Sequence, residues 1–191
     1  MRVIAGSARG RTLQTFKGRQ IRPTLDRVRE AVFSSLMPRL ADSRIADLYA
    51  GTGAMGIEAI SRGAGSVVFV DTDGAACALI HENLKICGWG ATEAVRVRRL
   101  DALRWLRTET EQYDILLADP PYKKGFPETF LAALAETEVL APEGIVVLES
   151  DARQSLPEKQ GNLYLLKDRV YGDTKISYFT NAERTAQSDD F

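Results

Sequence analysis

A chain of 191 residues, 45% of them hydrophobic, is long enough for one domain with a substantial core. No apolar run approaches the ~18 residues of a membrane-spanning helix, and no signal-like apolar segment follows Met1. The net charge of -1 hides an asymmetry: residues 1–30 carry eight Arg and Lys against two acids, a net +6 that leaves -7 for the remainder.

The basic excess comes first in the chain. Residues 1–20 set Arg2, Arg9, Arg11, Lys17 and Arg19 among glycines and small polar residues, and Arg2-Val3-Ile4 can pair with Thr12-Leu13-Gln14 around residues 6–10 as a small hairpin. Spaced cations on a glycine-rich loop suit a phosphate backbone, which is bound through charge more than through shape. Residues 1–24 therefore read as a nucleic-acid-binding arm; the competing reading is a solubilising terminus. With little apolar content to bury, residues 2–19 are expected to owe their order to a polyanion. Pro23 and Thr24 lead into a helix with Val28, Ala31, Val32, Ser35 and Leu36 on one side, stopped by Pro38. Thr24 reads as its N-cap, and its place before the next strand also lets it line a pocket. Both readings of Thr24 stay open.

Residues 44–63, RIADLYAGTGAMGIEAISRG, organise the rest. A buried strand over 45–49 meets the turn Gly51-Thr52-Gly53, and from Ala54 the apolar spacing becomes helical, closing at Arg62-Gly63. Amides at such a helix start are free donors, and glycine lets a ligand approach closely. Gly51, Gly53 and Gly56 fit G-x-G-x-x-G, and Asp71 follows 20 residues after Gly51, as a ribose-binding acid should. Those two facts allow a nicotinamide dinucleotide. Asp47 argues otherwise: an acid beside the turn opposes a pyrophosphate and suits a cationic end, such as the methionine ammonium of S-adenosylmethionine. The plainer account of Asp47 is a carboxylate that binds loop amides.

A second strand over 66–70 ends at Asp71, and Asp73 caps a helix through Cys87 with Ala76, Ile80, Asn83, Leu84 and Cys87 on one side. Cys77 and Cys87 lie about 15 Å apart on that helix, too far to bridge, and no Cys/His cluster suggests zinc. A reducing cytoplasm is the expected compartment. The single histidine, His81, reads as surface. A third strand over 95–100 precedes Asp101, which reads both as the N-cap of a helix over 102–108 and as a carboxylate for an adenine amine.

A fourth strand over 115–118 runs into Asp119-Pro120-Pro121-Tyr122. Two prolines stiffen the chain into an extended turn, fixing Asp119 at the strand's carboxyl end, where ligands bind in open α/β sheets. An acceptor there, with neighbouring carbonyls, can hold an exocyclic amine while Tyr122 stacks on the base. A helix over 126–138, a strand over 144–148 and a hairpin of 163–171 with 175–180 complete a doubly wound α/β sheet, and residues 181–191 read as a frayed polar tail.

The segments ADLYAGTGAMGIEA, VDTD, DALRWL and ADPPY, in this order and spacing, resemble a class I S-adenosylmethionine-dependent methyltransferase. With RVIAGSARGRTL and RPTLDRVREAVF, the chain resembles the bacterial methyltransferases that modify guanine N2 in small-subunit ribosomal RNA. The likeness spans residues 2–180, and the N-terminal segments narrow the family. It implies one Rossmann-like domain over 1–180 with a mostly parallel seven-stranded sheet and a small N-terminal β-hairpin extension. It implies S-adenosylmethionine as cofactor, with Asp47, Gly51 and Gly53 on the methionine end, Asp71 on the ribose and Asp101 on the adenine. Thr24, Ala50, Thr72, Ala102 and Asp119 complete the expected cofactor contacts. Asp119, Pro120 and Tyr122 are the expected catalytic residues around the target guanine, and Arg2, Arg9, Arg11, Lys17 and Arg19 the RNA contacts. The implied partner is 16S ribosomal RNA, alone or within a small ribosomal subunit, met by a monomer without metal or membrane. Three rivals remain: an adenine-N6 methyltransferase, a dehydrogenase, and a non-catalytic RNA-binding assembly module.

Overall fold

Strands apolar on both faces belong at the centre of a parallel sheet, and Arg44–Leu48 (β1), buried at every residue but the first, takes that place. The computed structural model of the chain describes residues 1–16, 23–121 and 125–182. Ser66–Asp71 (β2) and Tyr113–Ala118 (β4) flank β1, with Val95–Arg99 (β3) and Leu140–Asp151 (β5) outside them, all parallel. Thr174–Thr180 (β8) runs antiparallel to β5, Leu163–Tyr171 (β7) antiparallel to β8, and Lys159–Gln160 (β6) pairs with the outer edge of β7. The order is β3-β2-β1-β4-β5-β8-β7-β6. The α/β class and the mostly parallel sheet are as expected, with eight strands among the described residues in place of seven. The additional strand is β6; its two residues are too few to show an alternating pattern, and only their pairing makes them a strand.

Alternation along β1 sorts the two layers. Ile45 packs with Pro23–Leu36 (α1), Ala54–Ser61 (α2) and Gly74–Cys87 (α3), through Phe33, Ile57 and Ile80. Ala46 and Leu48 point to the other face, against Trp105 of Ala102–Thr108 (α4) and Phe130 of Phe126–Ala135 (α5). Asp73 caps α3 by accepting from the Ala75 N–H, and Gly88, at φ 89°, closes it. Among the described residues no helix is long and apolar enough to cross a membrane.

Boundaries moved where backbone geometry intervened. β1 stops at Leu48 because Tyr49 turns to φ 60°. β5 starts at Leu140, earlier than expected, passing through Glu143 at φ 58° with a register shift against β4. α5 ends at Ala135, short of residue 138. Thr24 is not an N-cap: α1 begins at Pro23, a residue whose missing N–H is no loss at a first helical position.

The expectation that residues 2–19 owe their order to a polyanion is corrected for residues 2–16, the part of that stretch that is described. Arg2 and Thr12 form the expected antiparallel bridge, and Val3, Ala8 and Leu13 are buried in one cluster with Phe33, Leu36, Ile57 and Leu84. Buried groups on α2 receive the arm's backbone. Glu58 of α2 accepts from the N–H of Ile4 at 2.8 Å and of Ala5 at 3.0 Å, and Ser61 Oγ accepts from the Ala8 N–H at 3.0 Å. Gly6 lies so close to Ser61 that a Cβ there would fall 1.6 Å from its carbonyl oxygen. Composition undercounted this docking because three small side chains suffice once the backbone groups are satisfied.

Candidate active site

The site grows from the turn between β1 and α2. Gly51 and Gly53 take left-handed angles, φ 55° and 73°, which let the Gly53 N–H reach the Ala50 carbonyl at 2.7 Å. A Cβ on Gly51 would meet nothing nearer than the Tyr49 oxygen at 3.9 Å, so the outer side of the turn is open to a ligand. Gly56 has a different task. A Cβ there would stand 2.3 Å from Phe69 Cε1, so this glycine lets α2 lie on β2.

Three acids line the carboxyl edge of the sheet beside the turn. Asp47, 4% exposed, accepts from the Gly56 N–H at 2.8 Å through Oδ2. Burial pushes its carboxyl up to about 7 against the opposing pull of that bond, and the neighbouring charge of Asp71 adds to the rise. Asp71 accepts from the N–H of Gly51 at 2.8 Å and of Asp73 at 2.9 Å, fastening the glycine turn to the start of α3. Asp101 caps α4 by accepting from the Arg104 N–H at 2.9 Å while remaining exposed. Thr72 is exposed beside Asp71, its carbonyl held by Arg99 Nε at 3.3 Å; Ala102 is buried at the start of α4. A row of acids beside the turn disfavours a pyrophosphate there.

Asp119 joins this edge through the sheet. β4 pairs with β1 in the register Leu48 with Ala118, and the Asp119 N–H continues it to the Leu48 carbonyl at 3.4 Å. The Asp119 side chain is exposed and Pro120 buried. Thus Asp47, Ala50, Gly51, Gly53, Asp71, Thr72, Asp101, Ala102, Asp119 and Pro120 share one edge. Tyr122, Lys17 and Arg19 lie outside the described residues, as does the pocket role read for the Thr24 side chain. Arg2, Arg9 and Arg11 are exposed. The hairpin's tip docks on Ser61, the last residue of α2, and the glycine turn precedes the helix's first residue; at 1.5 Å per residue the two ends are about 12 Å apart.

Sequence reasoning passed over three residues. Tyr49 packs its ring edge-on to Phe126 and Phe130 at 6.0 and 6.4 Å, its hydroxyl is buried without a hydrogen-bond partner among the described residues, and burial with nearby Asp101 drives its phenol up. Glu58 and Asn83 are buried at 1% and 0%. The signal for both was a polar residue on an apolar helix face. A surface depression lined by Arg39, Asp42, Asp114 and Glu143 lies at the amino ends of the strands, opposite the edge where such sheets bind ligands.

With this geometry in hand, the likeness to known proteins is extensive. The family described as Conserved hypothetical protein 95 matches residues 1–180. Ribosomal RNA small subunit methyltransferase D of Escherichia coli is 32% identical over 99% of this chain and 92% of that protein. The protein of the same name from Haemophilus influenzae is 31% identical over 95% and 94%. The solved structure of Escherichia coli yhhF aligns with a TM-score of 0.84 at 32% identity, over 94% of this chain and 97% of that one.

Proposed function

This chain belongs to the bacterial family of ribosomal RNA small subunit methyltransferase D, and from that premise we propose that it methylates the exocyclic N2 amine of a guanine in 16S ribosomal RNA, with S-adenosylmethionine as donor. The observation that carries the reading is the β1–β4 register, which sets Asp119-Pro120 beside the acid-lined glycine turn.

The residues at that edge fit the donor. Asp47 would take the ammonium, Gly51 and Gly53 give close approach, Asp71 and Thr72 meet the ribose, and Asp101 with Ala102 meets the adenine. S-adenosylmethionine supplies a methyl group already activated by its sulfonium, so the protein's share is placement. The Asp119 carboxylate and the Pro120 carbonyl accept the two N–H bonds of the guanine amine and turn its lone pair toward the methyl. Methylation makes that nitrogen strongly acidic, and exposed Asp119 takes its proton on to water without a tuned base. Tyr122 supplies the stacking face, and the base must be unpaired or leave its stack to arrive. Arg2, Arg9, Arg11, Lys17 and Arg19 meet the phosphates, and the protein acts as a monomer.

The deciding experiment is mass spectrometry of nucleosides from ribosomal RNA of cells lacking this protein. Loss of one N2-methylguanosine, restored by the wild type and not by Asp119→Ala, is expected. Loss of an N6-methyladenosine instead would move the target base. An unchanged nucleoside profile would overturn the reading.

A further inference from the structure

One polar side chain joins the two parts of this machinery. Asn83, in the middle of α3, has no exposed surface, and its carboxamide is spent entirely on backbone. Its Oδ1 accepts from the Gln14 N–H at 2.7 Å, and its Nδ2 donates to the Gln14 carbonyl at 3.1 Å and to the Thr52 carbonyl at 2.9 Å. Gln14 is thereby held on both its backbone groups, as a strand neighbour would hold it. Thr52 sits between Gly51 and Gly53, inside the turn that receives the cofactor in the reading above.

We propose that Asn83 is a positioning residue that fixes the RNA-binding arm in register with the cofactor turn, so that cofactor and RNA bind with positive coupling. The inference rests on the functional reading given above. A carboxamide presents two donors and an acceptor on one rigid plane. A shift of the Thr52 carbonyl therefore either drags Gln14 with it or breaks a buried bond, which costs more than a surface one. A ligand that immobilises the glycine turn settles Thr52, and through Asn83 it settles Gln14. Ordering completed by the first ligand is not charged to the second, and the same factor must appear whichever binds first. A pin that merely stabilises the fold would weaken both affinities without linking them.

The test is fluorescence anisotropy of a labelled 16S ribosomal RNA transcript, with and without saturating S-adenosylhomocysteine. For the wild type, the cofactor product should tighten RNA binding by about 5-fold or more, and RNA should tighten cofactor binding by the same factor. Asn83→Asp keeps the acceptor for Gln14 and loses both donors; its coupling factor should fall to about one while the protein still binds each ligand alone. Gln14→Pro removes the partnered N–H from the exposed side and should lower the factor as well, which keeps the test open if Asn83→Asp fails to fold. A wild type that methylates RNA with no coupling overturns this inference alone. So does a folded Asn83→Asp with coupling intact. A wild type that binds S-adenosylhomocysteine but not RNA overturns the inference together with the functional reading.

Discussion

Asp47 accepts from the Gly56 N–H at 2.8 Å, so the acid at the heart of β1 is answered by the third residue of α2. One such bond does not offset the loss of water around a carboxyl group, which burial pushes up to about 7. The folded protein thus holds a proton here that the unfolded chain releases near pH 4. In the ligand-free protein, the stability from this proton is full below about pH 4 and is lost as pH rises through about 7. An ammonium placed on Asp47 favours the carboxylate instead. Affinity for S-adenosylhomocysteine should therefore rise with pH and level off above about 7, with up to about one proton released on binding below it. Calorimetry at about pH 6 in buffers of different ionisation enthalpy reads that proton directly. Asp47→Asn should abolish the proton release, and pH-independent binding in the wild type would remove Asp47 from the ammonium site.

Gly56→Ala pits helix propensity against packing. Alanine gains about 1 kcal/mol over glycine inside a helix. Its Cβ would stand 2.3 Å from Phe69 Cε1 and 2.9 Å from Val67 Cγ1, and overpacking of this kind costs about 1–3 kcal/mol. Urea titration should find the variant less stable than the wild type. A more stable variant would show that α2 can slide on β2.

Glu58 is the buried acid between Arg62 and Arg29, with Nε atoms at 2.7 and 3.5 Å, while its oxygens also hold the arm. Glu58→Gln leaves two buried guanidinium groups short of their counter-charge, a loss of about 3–5 kcal/mol. The arm should come away as well, and trypsin should then cut after Arg9 or Arg11 at a rate the wild type resists. Resistance equal to the wild type would mean that Val3, Ala8 and Leu13 hold the arm by themselves.

For the arm's cations, the measurement is salt dependence. If Arg9 and Arg11 each neutralise a phosphate, Arg9→Ala/Arg11→Ala should make the log–log salt slope on single-stranded RNA shallower by about 1.4. Both side chains are exposed, so the fold should survive, and S-adenosylhomocysteine affinity should stay as it was. An unchanged slope would assign these arginines to solubility alone.

Much of this arrangement was legible in the sequence, and the failures have physical causes. Local signals read true: Asp73 and Asp101 as caps, Gly88 as a stop, the glycine turn, and the hairpin of Arg2 with Thr12. Each depends on atoms within a few residues or on one strand pairing. The misreadings involve partners far apart in the chain. Glu58 answers amides more than fifty residues away, and Asn83 answers Gln14 from 69 residues away. Composition therefore made the arm look too polar to dock. Gly56 fitted a ligand-binding motif, yet its absent side chain makes room for Phe69. Asp47 binds an amide, as its plainer account held, but that of Gly56 in the first turn of α2 rather than one in the loop.

The docking of the hairpin on Ser61 makes α2 a ruler. The glycine turn stands at one end of that helix and Arg9 rides near the other, about 12 Å away. If an RNA strand runs from a base held at the Asp119 edge to Arg9, it must span that distance, so it needs nucleotides beyond the target base. A free nucleoside would fill the pocket and touch none of that charge. On the proposed function, affinity should climb in a step once the fragment is long enough to span the helix.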